Sequence, residues 1–367
     1  MILPRRVPPR TSRPASRRAL PLAAALATVL AGTLAACGGS ASDSGSSGSG
    51  SSDSGAPSAG ITVYSGRAEE LVGPLFAQFT EQTGIPIQAR YGDTAELAAQ
   101  LLEEGDASPA QVYFAQDAGA LGAVAAAGLL APLPSAVATA VPENYRSPDG
   151  TWTGVTGRAR VIAYDPQQVP EAEVPQSVFD LTDPKWQGQV GIAPTNASFQ
   201  AFVTAMRVSQ GDDVTRQWLE GLVANDAQTF EKNGLILDAV DAGTLKLGLV
   251  NHYYWYEKAA EVGADAMRAK IAFTKPEDPG SLVNVAGVGI LAGAADNPSA
   301  ATFVEWLLSP QTQQWFVDNT WEYPLVPSVA AAEGLPPLDS LRGPDVPLAE
   351  LADLPGTLVM LEDVGLI

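Results

Sequence analysis

The sequence predicts an α/β protein of two lobes with a ligand cleft between them, preceded by a segment outside the fold. Three observations carry this. Past residue 60, short apolar runs of strand character alternate with helix-period stretches through short connections, the pattern of a parallel sheet covered on both faces. That alternating body spans about 300 residues, a length that suits two domains better than one. The single cysteine, Cys37, precedes the body, so no disulfide staples it and the apolar core alone must hold it together.

Residues 1–36 read as a targeting leader. Arg5, Arg6, Arg10, Arg13, Arg17 and Arg18 form a basic start, and the apolar run 19–33 is too short to cross a bilayer comfortably. It ends in Leu34-Ala35-Ala36-Cys37, which looks like the lipobox of bacterial lipoproteins. Cleavage before Cys37 leaves a lipidated cysteine as the first mature residue and places the protein at the outer face of the cell membrane. An ordinary secretory signal is the competing reading, but the one cysteine stands at the required place. Ser16-Arg17-Arg18 leaves twin-arginine and general secretory export both open. Residues 37–60 are the lipidated Cys and a tether, almost all Ser, Gly, Ala and Asp after Cys37, and unable to bury a core.

In the body, 61–64 reads as a strand and Ser65-Gly66-Arg67 as a turn. Leu71, Leu75, Phe76 and Phe79 recur at helical spacing until Gly84 closes the helix. Strand 85–91, a helix marked by Leu97, Leu101 and Leu102, strand 111–115 and a helix through Leu121 and Val124 follow. Residues 161–164 and 190–192 are further strands, 199–208 and 213–223 helices, and 245–250 a buried strand. The apolar, Gly-rich run 283–291 returns to the first sheet, and helix 301–308 is stopped by Ser309-Pro310. The chain crosses between lobes near 158–164 and again near 273–284, which divides it into a first lobe of 61–160 plus 276–367 and a second of 161–275.

The charge is strongly acidic. Lys and Arg number 21 against 41 Asp and Glu, and loss of the six leader arginines takes the formal net charge from −20 to about −26. Such a surface excludes nucleic acid, which demands a basic footprint. One histidine, no free thiol and no carboxylate pair at a telling spacing speak against an enzyme.

The stretch Asn251-His252-Tyr253-Tyr254-Trp255-Tyr256 falls where strand 245–250 ends, and ligands gather at the carboxyl ends of strands. Two adjacent phenols are hard oxygen donors suited to a hard cation such as ferric iron. An aromatic corner packing strand onto helix is the alternative.

An ordered set of motifs decides between them. It runs through the 61–66 opening, Ser108-Pro109-Ala110-Gln111-Val112-Tyr113-Phe114, Gly157-Arg158-Ala159-Arg160-Val161, Pro184-Lys185-Trp186, Pro194-Thr195, the tyrosine stretch and Asp278-Pro279-Gly280. With these the chain resembles the ferric-iron-binding solute receptors of bacterial iron-uptake ABC transporters. The resemblance implies a type II periplasmic-binding-protein fold with a two-strand hinge, a monomer serving a cognate ABC permease, and Fe³⁺ held with a synergistic anion, carbonate or phosphate. Tyr253 and Tyr254 match the paired tyrosine ligands. Ala68 and Gln116 stand where many members carry a histidine and a glutamate ligand, and the neighbouring carboxylates Glu69 and Asp117 are the candidate substitutes. Each has a structural reading too, Glu69 as a helix-dipole acid and Asp117 as a helix cap. For the anion the resemblance points to Arg158, Asn196, Ser198, Asn233 and Asn251, with Arg160 as an interlobe or core ion-pair residue. His252 matches a position that is typically Asn, which implies local hydrogen bonding. The unusual ligand set keeps a small organic anion, a phosphonate or chelated iron open as alternative cargo.

Overall fold

The computed structural model describes residues 60–367 other than 342 and 345; the leader, Cys37 and the tether before Gly60 lie outside the described residues. The strands are β1 (Ile61–Ser65), β2 (Ile87–Tyr91), β3 (Val112–Ala115), β4 (Leu130–Ala131), β5 (Trp152–Tyr164), β6 (Val190–Ile192), β7 (Gln228–Thr229), β8 (Leu247–Asn251), β9 (Lys270–Ala272), β10 (Val283–Leu291) and β11 (Tyr323–Pro324). The helices are α1 (Glu69–Thr83), α2 (Thr94–Glu104), α3 (Ala118–Ala126), α4 (Ser135–Ala138), α5 (Ala197–Gln210), α6 (Asp212–Ala224), α7 (Asn233–Asp241), α8 (Tyr253–Val262), α9 (Pro298–Leu307), α10 (Pro310–Thr320) and α11 (Leu354–Asp363). Pro310 both ends one helix and opens the next. Its missing N–H is harmless at a first helical position, and Ser309 caps α10 by accepting from the Thr312 N–H.

The strands line up as β2-β1-β3-β10-β5-β8-β6-β7, with β4, β9 and β11 on the margins. β1 runs parallel to β2 and β3, and β6 parallel to β8, as alternating strand and helix require. β10 and β5 return antiparallel through the middle. The 13-residue strand β5 is shared by both halves. Up to Ala159 it pairs with β10, and from Arg160 onward with β8. The chain crosses a second time between Ala272, paired with β5 in the second half, and Val283, paired with β5 in the first.

Each half has its own core. Val63, Leu75, Phe79, Phe114, Val285 and Phe303 fill the first. In the second, β5 and β8 split their side chains by strand parity: Ile162 and Leu249 pack with Phe199, Phe202 and Trp218, while Val161 and Val250 pack with Ile236 and Val240 on the other face. The C-terminal segment serves both. Leu348 and Leu351 enter the first core, whereas α11, grouped with the first lobe on sequence grounds, puts Met360 and Leu361 into the second. Arg207 of α5 anchors this end through an ion pair of 2.9 Å to Asp353.

Candidate metal and anion site

β8 is buried along its whole length and delivers the chain to the first turn of α8, whose opening residues are Tyr253 and Tyr254. Their rings stack with centroids 4.3 Å apart and planes 27° apart. Tyr253 is buried and Tyr254 half-buried. Burial pushes the Tyr253 phenol well above its ordinary range, the neighbouring phenol adds to this, and Arg67 and Arg158 pull the other way. His252 locks the turn in place. Its Nδ1 accepts from the Ala159 N–H at 3.2 Å and its Nε2 donates to the Trp321 carbonyl at 2.9 Å. With both nitrogens used, this ring is a positioning group, as its expected local role requires. Trp321 holds a left-handed backbone (φ 55°), and its ring stacks on Tyr256 at 5.4 Å.

Two arginine-lined walls flank the tyrosines. The first-lobe wall holds Arg67 after β1, Arg158 on β5 and Glu322 ahead of β11, all essentially inaccessible to solvent. Arg67 Nη2 donates to Glu322 Oε2 at 2.8 Å, and the hydroxyls of Thr156 and Thr320 donate to the same oxygen at 3.2 and 3.3 Å. Arg158 Nε comes only to 3.8 Å of Glu322 Oε1. Asp117 caps α3 through the Ala120 N–H at 2.9 Å. Its burial lifts the carboxyl to about 6 against the pull of that bond and of Arg158.

The second-lobe wall is built on Arg160. Its Nη1 donates to Ser198 Oγ, Asn233 Oδ1 and Asn251 Oδ1 at 3.3, 3.3 and 3.2 Å, and its Nη2 to the Leu249 carbonyl at 3.3 Å. Asn196 caps α5 by accepting from the Ser198 N–H, and Asn233 Nδ2 joins the set with a 3.1 Å bond to Asn196. Asn233 opens α7, so two helix N-termini and a guanidinium converge here, an arrangement made for an anion.

The residues named from sequence therefore fall into three places. Asn196, Ser198, Asn233 and Asn251 stand together, but with Arg160; Arg158 is on the facing wall beside Arg67 and Glu322. Asp117 is on that first wall, engaged as a cap. Glu69 is exposed in the first turn of α1, beside Tyr91, and no described interaction joins it to the tyrosine pair. Among the described residues no trio of His, Cys, Asp or Glu is grouped to hold a metal. Sequence reasoning passed over Arg67, Glu322 and Glu257. Glu257 lies one helical turn beyond Tyr253 on the same face of α8, and burial, with Glu322 adding to it, raises its carboxyl to about 8. Arg67 carried a usable signal, since it sits at the carboxyl end of a parallel strand.

Residues 109–345 match the family described as bacterial extracellular solute-binding protein. The Fe(3+)-binding periplasmic protein of Serratia marcescens is 34% identical over 80% of this chain and 86% of its own length. Among solved structures, iron-bound HitA from Pseudomonas aeruginosa superposes with a TM-score of 0.80 at 32% identity, over 84% of this chain and all of that one. FutA from Trichodesmium, solved with iron and citrate ligands, gives a TM-score of 0.71 at 29% identity over the same shares.

Proposed function

The chain belongs to the bacterial extracellular solute-binding proteins, among the ferric-iron-binding receptors of iron-uptake ABC transporters, and from that premise we propose that it captures Fe³⁺ through the phenols of Tyr253 and Tyr254 together with a synergistic anion, and hands the load to a cognate ABC permease. The observation that carries this reading is the stacked phenol pair at the end of β8, set between two arginine-lined walls. Iron is cargo here, and binding it requires the ion to displace the phenolic protons. Arg67 and Arg158 favour the resulting phenolates.

The anion, carbonate or phosphate, is assigned to Asn196, Ser198, Asn233 and Asn251 with Arg160 at the mouths of α5 and α7. Closure of the lobes on iron and anion is a hinge equilibrium biased by the bound state. The coordination set in this reading rests on the two phenols; Asp117 is engaged as a helix cap and Glu69 is exposed in the first turn of α1. Purified protein titrated with ferric citrate is expected to develop a visible tyrosinate-to-iron charge-transfer band that saturates at about one ion per chain. A folded protein that stays colourless would transfer the same receptor fold to an organic or phosphonate solute.

Lipidation at Cys37 holds this receptor at the outer face of the membrane as a tethered monomer. The Cys37→Ala variant is expected to move from the membrane fraction to the soluble extracytoplasmic fraction with its iron binding intact. Equal membrane retention of the variant would remove the anchor from this reading.

A further inference from the structure

Trp321 holds a backbone conformation that its own side chain disfavours. It follows the last turn of α10 at φ 55° and ψ 15°, the left-handed position that closes many helices and that glycine, sometimes asparagine, usually fills. A Cβ is crowded there, and a bulky residue in that region is an outlier. The other two non-glycine residues with positive φ among those described, Asp226 and Glu277, are exposed, polar and placed in turns. Backbone strain of this kind persists where the surroundings over-determine it, and it gathers at working sites.

The surroundings that hold Trp321 belong to the tyrosine helix. Tyr256, in the first turn of α8, lays its ring on the indole at 5.4 Å with the planes 19° apart. The Trp321 carbonyl accepts from His252 Nε2 at 2.9 Å, one residue before Tyr253. Two residues four apart at the head of α8 thus grip Trp321, one at its ring and the other at its carbonyl, and both phenols lie between them in the chain. Tyr256 also donates its hydroxyl to the Gly334 carbonyl at 3.1 Å. On the other side of Trp321, Glu322 is fixed by Arg67. Glycine would close α10 without strain, but it would offer Tyr256 no ring.

The geometry points to Trp321 as a positioning residue for metal capture: together with Tyr256 it clamps the first turn of α8 from the end of α10 and fixes the direction in which the Tyr253 and Tyr254 phenols are presented. It acts through His252 and Tyr256 and not on the ion itself. The metal clause rests on the ferric reading; the clamp does not.

The test separates the two. Trp321→Gly suits the left-handed backbone and removes the ring, Trp321→Phe keeps a ring for Tyr256, and Tyr256→Ala removes the same stack from the other side. In the apoprotein, hydrogen exchange of the amides of residues 253–258 is expected to quicken severalfold in Trp321→Gly and Tyr256→Ala and to stay near the wild-type rate in Trp321→Phe. Exchange in β1 serves as the control and is expected to be unchanged in all three. In the iron-loaded protein, release to an excess of a competing chelator is expected to be about tenfold faster in Trp321→Gly and Tyr256→Ala, with a displaced charge-transfer maximum, and Trp321→Phe is expected to restore both. A lost packing contact alone would lower the urea midpoint and leave the band where it was. Folded Trp321→Gly and Tyr256→Ala proteins whose α8 exchanges at the wild-type rate overturn the clamp. A loosened α8 with unchanged band and release rate overturns the positioning role. A wild type that never colours with iron sinks the ferric reading, and exchange in the apoprotein then decides the clamp by itself.

Discussion

Replacing Tyr253 and Tyr254 together by Phe is expected to lower ferric affinity by at least about a thousandfold while the protein stays folded. A group that merely orients a metal ligand is worth about 10–100-fold, and two directly bonded oxygens contribute more than that. The substitution is clean because the rings do the packing. They stack on each other at 4.3 Å, and the Tyr253 ring also meets His252 edge-on at 5.9 Å. Phe preserves both contacts and removes only the hydroxyls, so stability should change by no more than about 1 kcal/mol. Tyr253→Phe alone should cost more than Tyr254→Phe, because both wall arginines act on the Tyr253 phenol. Equilibrium titration against a ferric chelate competitor, alongside circular dichroism, reads both quantities. Unaltered iron affinity in the folded double variant would end the site assignment.

Removing Glu322 should have the largest effect on stability. Glu322→Ala strips the carboxylate that, among the described residues, is alone in hydrogen-bonding contact with Arg67 and alone within ion-pair distance of Arg158, leaving two buried guanidiniums to repel each other. Breaking a buried ion pair by removing one partner costs about 3–5 kcal/mol. It also takes the acceptor from Thr156 and Thr320. Thr156→Val, which deletes one hydrogen bond and no charge, should cost about 1 kcal/mol by comparison. Urea midpoints for the two variants measure the gap. Similar midpoints would mean that Glu322 is not what compensates the arginines.

The pattern of strands and helices was legible because local chemistry wrote it: β8 as an unbroken apolar run, α1 as helix-spaced apolar residues closed by Gly84. α7 was missed, since Lys232-Asn233-Gly234 carries the chemistry of a turn, yet its first residue, Asn233, bonds both Arg160 and Asn196. The tyrosine pair was legible because its two phenols sit side by side in the chain. The first-lobe wall could not be found that way. Arg67 and Glu322 are 255 residues apart, and each alone looks like a solvated charge. The two β5 arginines show the subtler difficulty. By strand parity Arg158 and Arg160 share a face, and only the change of partners between Ala159 and Arg160 sends them to opposite walls, one opposite Asn284 and the other opposite Asn251. Parity is visible in a sequence, but the point where a strand changes sheets is set by tertiary pairing.

That same change of partners bears on how the tyrosines are held. Ala159, the last residue of β5 on the first-lobe side, is bonded to the ring of His252, and His252 immediately precedes Tyr253. The phenol pair is therefore tethered, through one imidazole, to the point where β5 passes from one half to the other. Arg158 directly precedes Ala159, so a wall arginine and the phenol pair are fastened to the same crossover. A movement of one half against the other would therefore pass directly through the residues that hold the phenols.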